Sequence, residues 1–262
     1  MSSSKSNKRV FDAEKMLLSD KSSFSTQEAY KTLRTNVTFS LPGSDCKCIG
    51  IVSANRGDGK STIAVNLSIS LAQINKRVLL IDCDMRLPTI AQKLGVESTP
   101  GLSNYLSGDC AVIPTMKVPQ RGIDIIPSGN IPPDSTTLIS SDEMAKMVEE
   151  LKEYYDYIVF DFPPINIVSD AVIMSSQIDG YLIVVRHNAS EFQMITETVR
   201  QMHFADAKVI GFVYNGKGED KKYYKRGRYG KYKYYYNNYY YYKRNTAQET
   251  NKKKADKWKH QK

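Results

Sequence analysis

Few folds accommodate the stretch Ile51-Val-Ser-Ala-Asn-Arg-Gly-Asp-Gly-Lys-Ser-Thr62, in which an apolar run breaks into glycines, a lysine and two hydroxyls and then resumes with helical periodicity. It reads as strand, phosphate loop, helix. Gly57 and Gly59 let the backbone curl with several N–H groups facing inward, and a helix starting at Lys60 adds its positive dipole end. Lys60 can reach the β- and γ-phosphates of a nucleotide, and Ser61 can ligate Mg²⁺. The pattern is G-x-x-x-x-G-K-[ST] with Ala54 in the first glycine place, a small departure because alanine lacks only the freedom of positive φ. Ala54, Asn55, Arg56, Gly57, Asp58, Gly59, Lys60, Ser61 and Thr62 are therefore the candidate nucleotide-binding loop, joined by Asn215 where the last strand ends.

The rest of the chain supplies a sheet for that loop. Arg77-Val-Leu-Leu-Ile-Asp82 is a continuous β-type run of the kind a parallel sheet buries on both faces, and it ends in Asp82-Cys-Asp84-Met-Arg86. Two carboxylates and a guanidinium thus arrive at the C-terminal end of a strand, where open α/β sheets place their ligands. Tyr157-Ile-Val-Phe-Asp161 repeats the arrangement and leaves through Phe162-Pro-Pro164, a Walker B pattern with a rigid exit. Gly180-Tyr-Leu-Ile-Val-Val185, a helix over 191–204 and a strand over 208–214 continue the β-α-β alternation. A strand over 46–54, a helix over 60–74 that is apolar almost all round, a loop-rich section over 87–120 and an amphipathic helix over 138–154 fill the intervals. The expectation is an α/β P-loop NTPase with a doubly wound, mostly parallel sheet.

Three regions follow from composition: a polar, extended arm over 1–24, a globular domain over 25–216 and a disordered tail over 217–262. Ser25-Thr-Gln-Glu28 fits a capping box before a helix that runs to about Ser40. On that helix Tyr30, Leu33 and Val37 form an apolar stripe, and Glu28, Lys31 and Arg34 a separate charged ridge. The net charge of +9 is unevenly spread: from Lys217 onward 16 Lys/Arg stand against 4 Asp/Glu, a net of +12, which leaves 21 against 24, a net of −3, before it. A mildly acidic body argues against a nucleic-acid-binding fold. No apolar run reaches the length of a membrane span, the first ten residues carry no signal-peptide core, and Cys46, Cys48, Cys83 and Cys110 show no metal or redox spacing. A cytoplasmic protein with reduced thiols is expected.

Between Tyr223 and Tyr242 lie 11 of the 18 tyrosines, interleaved with Lys, Arg, Gly and Asn and free of Leu, Ile and Val. Such a segment has no core to fold around. Three acids, a hydroxyl and a lysine converging on a phosphate loop are what phosphoryl transfer requires, and a phenol of pKa about 10 needs a base to become a nucleophile. One of the D-x-D acids could instead simply pair with Arg86. The absence of H-R-D and D-F-G excludes a eukaryotic-type kinase.

With these motifs the chain resembles the bacterial tyrosine kinases (BY-kinases) of capsule and exopolysaccharide assembly, from Glu28 to the tail. The resemblance implies ATP and Mg²⁺ as cofactors, Lys60 and Ser61 on phosphate and metal, Asp82 as the base, and Asp84 and Asp161 supporting Mg²⁺. It also implies that Glu28-Ala-Tyr-Lys31-Thr-Leu-Arg34 stands for the ring-forming motif E-x-x-R-x-x-R, with Lys31 lacking the arginine fork. By the same resemblance Tyr223, Tyr224, Tyr229, Tyr232, Tyr234, Tyr235, Tyr236, Tyr239, Tyr240, Tyr241 and Tyr242 are the phosphoacceptors, labelled in trans within a homo-oligomer. A membrane adaptor that activates the kinase at the inner face of the membrane and a cognate tyrosine phosphatase are implied partners. The contrasting reading is a MinD/ParA-like ATPase switch whose basic tail grips lipid or nucleic acid. Asn55, where those ATPases carry a signature lysine, and the tyrosine cluster count against it.

Overall fold

The computed structural model describes residues 16–43 and 45–216. The arm over 1–15 and every tyrosine of the tail cluster lie outside the described residues.

Residues 16–23, expected as the end of an extended arm, instead fold onto the domain with Leu17 and Leu18 buried. Helix α1, Phe24–Ser40, follows. Its cap is Ser23, whose hydroxyl accepts the N–H of Thr26 at 3.2 Å, so the capping box expected at Ser25 and Glu28 does not form. Strand β1, Lys47–Ser53, feeds the loop that opens helix α2, Lys60–Ala72, and strand β2 is Val78–Asp82. Two five-residue helices, α3 (Ile90–Leu94) and α4 (Leu102–Leu106), cross the loop-rich section to β3 (Met116–Val118) and β4 (Ile123–Ile126). The helix expected over 138–154 is broken into α5, Ser135–Ile139, and α6, Asp142–Lys152. Ser141 makes the break by accepting the N–H of Met144 as a new N-cap, with Asp142 and Glu143 in the first turn. Strand β5 (Tyr157–Asp161), helix α7 (Asp170–Ile173), strand β6 (Gly180–Arg186), helix α8 (Phe192–Phe204) and strand β7 (Val209–Asn215) complete the chain.

The seven strands form one sheet in the order β3-β4-β2-β5-β1-β6-β7, in which only the β3–β4 pair is antiparallel. Every residue of β2 and β5 is buried, as expected of strands covered on both faces. Alternate residues serve two cores. Leu79, Ile81, Ile158 and Phe160 pack against α6 and α8, whereas Val78, Leu80, Tyr157 and Val159 pack against α1 and α2. Because β1, β2, β5, β6 and β7 run parallel, their C-terminal ends meet along one edge. The chain doubles back across β1, whose neighbours are β5 and β6, and this is the switch point at which such sheets bind ligands. All four cysteines are free.

Candidate active site

The phosphate loop sits at that edge and is held from outside. Gly57 and Gly59 have φ of +84° and +96°, the left-handed region that glycine enters at no steric cost. The amide of Asn215, on β7, donates to the carbonyl of Asp58 at 2.8 Å and crowds Gly59 so closely that a Cβ there would stand 2.1 Å from it. Arg186, at the end of β6, donates to the carbonyl of Gly57. The Asp58 carboxylate accepts the N–H of Asn55 at 3.1 Å and the Ser190 hydroxyl at 3.0 Å. With these groups tied back, the first-turn N–H groups of α2, at Lys60, Ser61 and Thr62, have no partner within the helix and face an incoming anion.

Charge gathers below the loop. Lys60 is buried, with its Nζ 2.7 Å from Asp84 and 3.6 Å from Asp161. Burial alone would push its ammonium down, but Asp161 and Asp84 outweigh it and hold the pKa above the ordinary lysine value. The two D-x-D acids occupy different layers. Asp84 lines the cleft, whereas Asp82 is fully buried and accepts the backbone N–H of Asp84 and of Ile90, both at 3.2 Å. Burial, and then the neighbouring Asp161, push Asp82 up to about 8. Asp161 is also fully buried, and neither of its carboxylate oxygens has a hydrogen-bond partner. Burial raises its pKa, with Lys60 opposing.

An orphaned buried carboxylate beside the Ser61 end of a phosphate loop fits a divalent cation. Among the described residues no three acidic, histidine or cysteine side chains are grouped to hold a metal alone. Mg²⁺ is commonly held by one or two carboxylates together with phosphate oxygens, which Asp161, Asp84, Ser61 and a nucleotide would provide. The cleft above these groups encloses about 670 Å³ and is lined by Gly59, Lys60, Ser61, Thr62, Asp84 and Asn215 among others. The sequence-predicted residues Lys60, Ser61, Asp84, Asp161 and Asn215 thus converge.

Arg86 does not join them. Its guanidinium donates to Asp170 at 2.6 Å and to the Thr136 hydroxyl at 2.8 Å, so the alternative pairing of Arg86 with a D-x-D acid is not what the structure has. The ridge on α1 also divides: Lys31 pairs with Glu28 at 2.8 Å, but Arg34 turns inward and donates to the Ser70 carbonyl at 2.6 Å. Sequence reasoning missed Arg186 and Lys93, which also line the cleft. The position of Arg186 at a strand's C-terminal end was a usable signal. Lys93, in a five-residue helix, offered none.

Residues 46–207 match the AAA domain family. The chain is 36% identical over 211 residues to tyrosine-protein kinase CpsD of Streptococcus agalactiae, a match covering 79% of this chain and 90% of that one. It is 35% identical over 206 residues to tyrosine-protein kinase YwqD of Bacillus subtilis, covering 78% and 85%. Among solved structures, the kinase domain of Escherichia coli tyrosine kinase ETK superposes with a TM-score of 0.72 at 27% identity, covering 74% of this chain and 76% of that one. The McdA–ATP complex of Cyanothece, at 21% identity and a TM-score of 0.54 over 65% of this chain and 69% of that one, shares the fold. A phosphate loop, a D-x-D-x-R strand end and a Walker B acid brought to one edge, with relatives matched over most of their length, show that the chain belongs to the bacterial tyrosine-kinase family.

Proposed function

We propose that the protein is an ATP- and Mg²⁺-dependent protein-tyrosine kinase that phosphorylates its own C-terminal tyrosine cluster and thereby regulates capsule or exopolysaccharide synthesis. The observation that carries the reading is Lys60, buried between Asp84 and Asp161 at the start of a helix whose first-turn amides have no partner within the helix. A bound Mg²⁺ would supply positive charge to offset the negative charge of phosphoryl transfer. Asp161, Asp84 and Ser61 would hold it. Lys60 then exchanges part of its contact with Asp84 for the phosphates. The acceptor phenol attacks the γ-phosphorus, the bond to the ADP oxygen breaks, and the phenolic proton passes to the Asp82–Asp84 pair. Burial and the neighbouring Asp161 raise the proton affinity of Asp82, which is tied through the amide of Asp84 to the acid that faces the cleft.

The resemblance to capsule kinases supports the remaining assignments: a homo-oligomer built through α1, activation by a membrane adaptor, reversal by a cognate tyrosine phosphatase, and a cytoplasmic location at the inner membrane face. Among the described residues no helix is long and apolar enough to cross a membrane. The test is a phosphotyrosine blot of purified protein incubated with Mg-ATP. Wild type should label strongly and Lys60→Met by less than about a hundredth as much, because the loop amides cannot replace a charge on the β/γ-phosphates. Undiminished labelling by a folded Lys60→Met protein would overturn the reading.

A further inference from the structure

We infer that Lys93 is a second phosphate-contacting cation of the site, placed across the cleft from Lys60 and specific for the terminal phosphate; the inference rests on the nucleotide-binding reading above. The topology puts it there. Lys60 rises from the end of β1, α3 follows β2, and β5 with Asp161 lies between those two strands. A phosphate chain seated on the loop and running toward Asp161 therefore ends facing α3.

Helix α3 is fixed in that place. Its buried residues Ile90, Ala91 and Leu94 join it to the core, and the Asp82 carboxylate binds the N–H of Ile90. The remaining face carries Thr89 and Lys93, both of which line the cleft. Neither side chain makes a hydrogen bond or ion pair among the described residues, whereas Lys60, a buried cation of the same cleft, has carboxylates at 2.7 and 3.6 Å. Burial pushes the Lys93 ammonium down, with Asp161 pulling the other way and Lys60 reinforcing the fall. A half-buried cation with no carboxylate in contact costs folding free energy, and an arriving phosphate oxygen would lower that cost. The adjacent Thr89 hydroxyl can donate to the same oxygen.

The test compares a triphosphate with a diphosphate in the full chain. Titrations with Mg²⁺ and either AMP-PNP or ADP are made on wild type, Lys93→Met and Lys93→Arg. Lys93→Met should weaken AMP-PNP about tenfold and ADP by less than about twofold, and Lys93→Arg should recover most of the loss, since a charged contact to one phosphate is worth roughly that factor. The nucleotide-free Lys93→Met protein should melt no lower than wild type. Equal losses for both nucleotides, or no loss for either, would overturn the contact, and a lower melting temperature would make Lys93 a structural residue. Tyrosine labelling by wild type is scored separately. If the triphosphate preference depends on Lys93 while wild type labels no tyrosine, the kinase reading alone has failed.

Discussion

Arg86 shows how far a residue can stand from the role its motif suggests. It closes a ring of hydrogen bonds in which the Thr136 hydroxyl also donates to Asp170 at 3.0 Å, and Asp170 is fully buried. Its work is to neutralise that carboxylate and to pin α5 and α7 beside the strand end. Removing one partner of a buried pair leaves an uncompensated charge, so Arg86→Ala should lower stability in urea by about 3 kcal/mol. Removing both should cost less than the sum of the single changes, with a coupling of about 1–3 kcal/mol in a double-mutant cycle with Asp170→Ala. Additive losses would show that the two side chains act separately. Lys60, Ser61, Asp84 and Asp161 were legible because their motifs fix both residue type and strand end. The partner of Arg86 was not, because Asp170 follows 84 residues later, on a helix of four residues without periodicity.

At the scale of elements, β2 and β5 are legible in the sequence because apolar β-type runs ending in acids have little else to become. Helix limits were less legible. The pattern over 138–154 continues its apolar spacing straight through Ser140 and Ser141, and only the hydroxyl cap ends α5 and restarts the chain as α6. Strand β3 has three residues and pairs antiparallel at the sheet edge, too short to leave a period. Helix α1 carries the most consequential difference. Arg34 bonds to the last turn of α2, and Asn66 in the middle of α2 binds the N–H of Leu18, the carbonyl of Met16 and the hydroxyl of Tyr30. The ridge proposed to join subunits is therefore partly a clamp within one subunit. Arg34→Ala should lower the melting curve, with a loss of about 1.5 kcal/mol for a charged hydrogen bond. Glu28→Ala with Lys31→Ala should leave stability within about 0.5 kcal/mol, since their exposed i,i+3 pair contributes little, while shifting the mass in light scattering toward monomer. An unchanged mass in the double variant would return those two residues to a solvated surface.

The whole molecule adds a separation of charge that no single element reveals. A body of net −3 carries a tail of net +12, and the strand that leads to the tail ends in the cleft: β7 runs parallel to β6 and β6 to β1, so Asn215 and Gly216 lie beside the phosphate loop. The 27 residues from Asn215 to Tyr242 can span at most about 90 Å, a length that would reach the cleft of a second copy in the homo-oligomer proposed above. The tail should therefore be phosphorylated in trans. Each phosphate adds about −1.5 to −2 charge, so roughly six to eight would cancel the tail's +12, and any beyond that would set it against acidic neighbours. The assembly should then loosen. Mixing Lys60→Met protein, inactive but carrying its tyrosines, with active protein truncated after Gly216 should yield label on the Lys60→Met tail alone, and light scattering of fully phosphorylated wild type should report a smaller mass. An unlabelled tail would remove the trans mechanism, and a constant mass would remove the release step while leaving trans labelling in place.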